Sequence, residues 1–181
     1  MDKRKVAVSE AVGAVAIYSA AVFLHFAFGL SGRSALGMLF GAVNESVWEH
    51  VKIFSIAYTG WALIQLCWLK VPFKQYVVAK CAGLYTLMAL IIGSFYLYTA
   101  FTGRAIFQVD IVTSALFTVF AQWLSFRLIT GENRIRDYYM PALMLLGLYY
   151  LMFFSFTVSP PRIGLFRDPL SGDYGIPGRK Q

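Results

Sequence analysis

The segment Asn44-Glu45-Ser46-Val47-Trp48-Glu49-His50-Val51-Lys52 sets two carboxylates, an imidazole, an ammonium, an amide and a hydroxyl at the head of a strongly apolar run. Ionisable groups at membrane depth are costly, and where they persist they commonly serve a site. On a helix, side chains three and four positions apart share a face. That spacing sets Glu45, Glu49 and Lys52 on one stripe and Ser46 with His50 on the next. Glu49 and His50 are adjacent and diverge. Lys52 falls about 10 Å along the axis from Glu45 at a rise of 1.5 Å per residue, so its charge needs a partner and Glu49 is the nearest. The chemistry on offer is proton transfer. Glu49 serves as acid or base, His50 and His25 as proton partners, and Lys52 steadies negative charge that develops on a substrate.

Ordinary helix chemistry accounts for part of this polarity. Ser46-x-x-Glu49 is a capping box, in which each residue satisfies a free amide of the first turn. Asn44 is an alternative cap. Glu45 and Glu49 also suit the positive end of the helix dipole. Capping leaves His50 and Lys52 unexplained.

Other polar residues extend the candidate site. His25 lies near the end of the preceding apolar run. With Glu45 and Glu49 it supplies the imidazole and carboxylate ligands that a divalent metal such as zinc accepts, although neither H-x-x-x-H nor H-E-x-x-H spacing is present. Asp110 opens another apolar run, as a helix cap or as a member of the same polar set. Asn44, Glu45, Asp110 and Asp168 are the candidate substrate-binding groups. The tail from Phe166 to Gly175 carries turn chemistry at Asp168-Pro169 and Ser171-Gly172, and Phe166 and Tyr174 bracket those turns. Either it is a disordered terminus or these aromatics dock it over the site.

The elements that must position these groups are membrane spans. Of 181 residues, 59% are hydrophobic and only 14% charged, against roughly 25% charged in soluble domains. Apolar runs over residues 6–30, 46–69, 76–101, 108–130 and 138–158 each approach the ~20 residues a bilayer needs. The expected fold is an all-α bundle of about five spans (residues 1–158), with a Gly-rich first loop and a polar tail (residues 159–181). The connection 29–43 carries enough apolar residues either to lie in the interface or to dip back among the helices. The first run is too long for a signal peptide and reads as a retained helix. Trp48 and Trp68, near the two ends of the second span, suit interfacial belts. Cys67 and Cys81 fit no metal or redox spacing and read as free thiols.

The net charge of +7 does not point to nucleic acid, because the basic residues sit at the ends of apolar runs. With the amino terminus inside, Lys3, Arg4, Lys5, Lys70, Lys74, Lys80, Arg127, Arg134 and Arg136 fall on the inner side. Leaving the tail aside, Arg33, Lys52 and Arg104 fall outside, so the bias favours N-in, C-out. This threading brings both histidines and five of the nine acids (Glu45, Glu49, Asp110, Asp168 and Asp173) to one side. Asp2, Glu10, Glu132 and Asp137 fall on the other, where solvated loops explain them.

The motif Asn44-Glu45-Ser46-x-Trp48-Glu49-His50-x-Lys52, together with Phe166-x-Asp168-Pro169-x-x-Gly172-x-Tyr174-Gly175, resembles a family of small bacterial membrane proteins of unknown function. The likeness covers nearly the whole chain, His25 included. It implies a shared site and the bacterial cytoplasmic membrane, and brings no activity. The leading expectation is an enzyme acting on a lipid or lipid-linked group near the outer leaflet. The alternatives are a carrier or channel for a small solute or ion, with Glu49 and Lys52 as a switchable pair, and a non-catalytic scaffold.

Overall fold

The computed structural model describes residues 2–131 and 133–176. Glu132 of the charged loop, and Arg179 and Lys180 of the tail, lie outside the described residues. Six helices follow one another, and among the described residues no strand forms. They are α1 (Lys3–Leu30), α2 (Ala35–Phe40), α3 (Val47–Gln65), α4 (Phe73–Thr102), α5 (Phe107–Thr130) and α6 (Tyr139–Val158). Four of them, α1, α4, α5 and α6, are long and apolar enough to cross a membrane. Their outward faces carry exposed Val15, Phe23, Leu97, Leu116, Val119, Met144 and Leu151, which suits contact with acyl chains. Cys67 and Cys81 are free thiols.

The second expected span departs from the pattern. In place of a helix over 46–69, α3 covers 19 residues and is not among the four spanning candidates. Twelve of those 19 residues are buried, Glu49, Lys52, Ser55 and Gln65 among them, so it is an inner helix that carries most of its polar side chains inside the protein. Trp48 is therefore a core residue rather than a belt. It is 4% exposed and stacks on Phe153 at 4.6 Å between ring centres, with Phe166 at 4.9 Å.

The connection before α3 sets its depth, while its shortening against the expected span lies at the other end, where it stops at Gln65. After Leu30 the chain reverses at Gly32 and Arg33, whose φ angles are +64° and +60°. Ser34 caps the short α2 by accepting from the Gly37 amide at 3.0 Å. The chain then returns along α1 until the Ala42 amide donates to the Leu24 carbonyl at 3.3 Å. Leu24 lies six residues before the end of α1, so α3 begins about 9 Å below that end. The connection thus dips back among the helices, and it carries the motif down to the level of His25.

Gly41 makes this descent possible. A Cβ there would stand 2.9 Å from the Phe28 nitrogen and 3.0 Å from the Leu24 oxygen, both backbone atoms that cannot swing aside. Gly41→Ala is expected to destabilise the protein by about 1–3 kcal/mol, as overpacking does. Gly29→Ala, where nothing lies within 4 Å, is the control and is expected to leave the thermal midpoint in detergent nearly unchanged.

Candidate functional site

Three side chains from separate stretches of backbone meet where the returning loop touches α1. His25 comes from α1, Glu45 from the loop and His50 from the first turn of α3. His25 Nε2 lies 3.5 Å from Glu45 Oε1, and His50 Nε2 lies 3.6 Å from Glu45 Oε2. The two imidazoles stack with centres 5.4 Å apart at 29°. One ligand atom from each of the three residues can be chosen so that all lie within 4.8 Å of one another. His50 Nδ1 is 2.9 Å from the Ser46 carbonyl oxygen. A carbonyl only accepts, so Nδ1 carries the proton, and in the neutral ring Nε2 presents its lone pair toward Glu45.

Capping geometry produces this arrangement. Ser46 is the N-cap, with extended backbone (φ −68°, ψ 153°) and Oγ accepting from the Glu49 amide at 3.4 Å. Glu45 therefore precedes the helix, and its carboxylate reaches both His25 on α1 and His50 on the first turn of α3. The expected common stripe of Glu45, Glu49 and Lys52 does not exist, because helical spacing cannot apply to a residue outside the helix. The cap also differs from a full capping box. Glu49 Oε2 accepts from the Val43 amide at 2.9 Å, while the Ser46 amide donates to Asn44 Oδ1 at 2.9 Å.

Glu45 and the two histidines line a cavity of about 380 Å³ among α1, α3, α4, α5 and the tail. Asp110 lines it too, from the first turn of α5. Asp110 does not cap that helix, whose N-cap is Ile106 with no side-chain bond. Its Oδ1 instead accepts from the Tyr98 hydroxyl at 2.8 Å, and that hydroxyl accepts from the Ile106 amide at 3.2 Å. The remaining wall is largely apolar and aromatic, with Tyr18, Phe54, Ile91 and Phe95 among its residues. Val22, Phe26, Phe107 and Ile111 line the cavity and are also exposed on the outside of the bundle.

Glu49 and Lys52 do not line the cavity. They form a buried ion pair with Lys52 Nζ 2.6 Å from Glu49 Oε2 and the side chains 4% and 1% exposed. Lys52 also donates to the Met38 carbonyl at 3.1 Å and to Thr157 Oγ1 at 3.3 Å. The pair thus ties α3 to the returning loop and to α6. Glu49 and His50, adjacent in sequence, do diverge: one faces the protein interior and the other the cavity.

The tail closes one side of the site. Arg167 and Tyr174 pair across a reverse turn, and Asp168 Oδ1 accepts from the Leu170 and Ser171 amides at 2.8 and 3.3 Å. Two contacts fasten the turn to the motif. Asn44 Nδ2 donates to the Gly175 carbonyl at 2.8 Å, and the Glu45 amide donates to Asp168 Oδ2 at 3.5 Å. Phe166, 4% exposed, wedges against Trp48 and Phe156. Asn44 and Asp168 are thus engaged mainly with backbone, while Pro169 and Leu170 supply the tail's part of the cavity wall.

A second polar network was not foreseen from the sequence. Glu10, expected in a solvated loop, is 3% exposed. Lys80 reaches its two carboxylate oxygens at 2.7 and 2.8 Å, and Ser125 Oγ donates to Oε1 at 3.2 Å. Lys80 also lies over the Tyr58 and Tyr76 rings, at 5.4 and 5.5 Å from their centres. It is therefore a packed ion-pair partner and not a loop charge that reports orientation. Glu10 and His25 are fifteen residues apart on α1, or about 22 Å, so the two networks occupy opposite ends of the bundle. The one available signal was coarse: a glutamate and a lysine each set inside an apolar run.

The fold and the site together define, among the described residues, an all-helical protein with four helices long and apolar enough to cross a membrane and with ionisable groups collected around a cavity. The chain belongs to a family of unknown function (DUF6512), whose model matches residues 3–176. No curated protein and no solved structure matches the chain.

Proposed function

We propose that the protein is a membrane-embedded enzyme that binds an amphipathic, lipid-like substrate in the cavity between α1, α3, α4 and α5. One observation carries this reading. His25, Glu45, His50 and Asp110 line a cavity whose other walls are mostly apolar and whose edge residues Val22, Phe26, Phe107 and Ile111 also face outward. A polar head would meet the ionisable groups, and its alkyl part would lie along Tyr18, Phe54 and Phe95. A volume of about 380 Å³ is within the range of small-molecule sites, roughly 300–1,000 Å³. Imidazole and carboxylate at such a head group suit acid–base chemistry. Glu49 and Lys52 take a supporting role in this reading, since each already has its partners inside the protein. The excess of basic residues on the amino-terminal side supports an N-in orientation in a bacterial cytoplasmic membrane, with the cavity in the outer half.

The test is conversion of a total lipid extract in mixed micelles, followed by mass spectrometry. The wild-type protein is expected to deplete one lipid class and accumulate its product. Asp110→Asn is expected to slow this by about 10²–10⁴-fold, the span of general acid–base catalysis, and His50→Ala to slow it as well. A lipid profile unchanged by folded wild-type protein would overturn the proposal, as would equal conversion by folded variants.

A further inference from the structure

We infer that His25, Glu45 and His50 bind a divalent transition metal ion of the zinc class and leave at least one coordination position open to the cavity. Metal binding stands on its own geometry. Only the use of the open position, to hold a substrate head group or a water, rests on the enzyme reading above.

The separations decide between a metal site and a hydrogen-bonded triad. Charge-assisted N–H···O bonds run about 2.7–2.9 Å. The two imidazole–carboxylate contacts are 3.5 and 3.6 Å, too long for that. A tetrahedral ion with bonds of 2.0–2.1 Å holds its ligand atoms about 3.3 Å apart along each edge. The two imidazole–carboxylate spacings are close to that edge, each to a different oxygen, and one atom from each residue can be chosen with all three within 4.8 Å, so the ligands close in modestly around an ion. The carboxylate stands between the two imidazoles, so a small rotation presents either oxygen to an ion they share.

The chemistry of the donor set agrees. Two imidazole nitrogens and one carboxylate select zinc and its neighbours over calcium or magnesium, which take oxygen ligands. Three protein ligands with a free position are the pattern of catalytic rather than structural zinc. The His50 ring is already held for the task, since its Nδ1–H donates to the Ser46 carbonyl and directs Nε2 at the site. The ligand set differs from the one composed from sequence alone. Glu49 is committed to Lys52 and the Val43 amide, and His50 takes its place.

The experiment uses the full chain purified in detergent, with any affinity tag removed and metal stripped by chelator. Titration with zinc is expected to give one bound ion per chain by elemental analysis. Titration with cobalt is expected to give the visible absorption of a four- or five-coordinate ion. His25→Ala, Glu45→Gln and His50→Ala are each expected to weaken binding by more than about 100-fold, the upper end of what losing an outer-shell partner alone costs. Asp137→Asn, on an exposed residue in the turn before α6, should leave binding intact. Absence of stoichiometric binding by folded wild-type protein would overturn the inference. So would full-strength binding by a folded His25→Ala/His50→Ala double variant. The two proposals fail separately. Metal binding without lipid conversion removes the enzyme reading alone, and failure to bind metal removes this one whatever the lipid assay shows.

Discussion

Lys52→Met should destabilise the protein by about 3–5 kcal/mol, the usual consequence of removing one member of a buried ion pair. That is a large share of the ~5–15 kcal/mol that holds a typical domain together. The cause is the group left behind. Without Lys52, the Glu49 carboxylate remains buried with the Val43 amide still donating to it and no cation beside it. The bonds from Lys52 to Met38 and Thr157 vanish as well, which loosens the returning loop and α6 from α3. Charge, more than lost packing, should dominate, and the double variant Glu49→Gln/Lys52→Met checks this. It keeps an acceptor for the Val43 amide and removes both charges, so most of the lost stability should return. Thermal unfolding in detergent, followed by size-exclusion chromatography of the heated samples, measures both. Equal damage in the single and double variants would show that the ion pair is not the operative feature. A folded double variant should also still bind zinc, because neither residue lines the cavity. Loss of turnover with fold and metal binding intact would instead place Glu49 or Lys52 in the chemistry.

The Glu10–Lys80 network gives the second large effect, at the other end of the bundle. Lys80→Met leaves the Glu10 carboxylate buried without its ammonium partner, with Ser125 still donating to it. The same 3–5 kcal/mol scale applies, at about that order of magnitude. The pair joins α1 to α4, and Ser125 brings in α5, so the loss is spread over three helices. Glu10→Gln/Lys80→Met should recover stability, and Gln122 and Ser125 give the new amide polar neighbours. The cavity lies about 22 Å away along α1, so lipid conversion per folded molecule should be unchanged in this double variant. A fall in conversion without a fall in melting temperature would assign the network a functional role and contradict the structural one.

The long helices were legible because hydropathy is a local and additive property. The apolar runs near residues 6–30, 76–101, 108–130 and 138–158 correspond to α1, α4, α5 and α6, whose exposed faces need no partner to explain them. The run at 46–69 read as a fifth span of the same kind. Its polar residues are compensated inside the protein, so composition alone could not show that the helix is central and recessed. Ser46 as N-cap was also legible, since capping involves only neighbours in sequence.

Assignments that depend on distant partners were not. Glu10 and Lys80 are 70 positions apart, and neither looks buried until α1 and α4 are packed. Asp110 reads equally as a cap or as one of the polar set until Tyr98, twelve residues earlier, reaches its carboxylate. The division between Glu45 and Glu49 is of the same kind. Alternating helix threading determined by itself that His25, Glu45, Glu49, His50 and Asp110 gather at one end of the bundle. Which glutamate faces the cavity was decided only in three dimensions. The loop descends along α1 until Ala42 meets Leu24, and this leaves Glu45 outside the helix beside two imidazoles. Glu49, one turn into the interior, finds Lys52 and the Val43 amide. Sequence spacing sets which face of a helix a side chain occupies. Whether a charge on that face meets a cavity or a partner depends on where the helix begins relative to its neighbours, and tertiary contacts settle that.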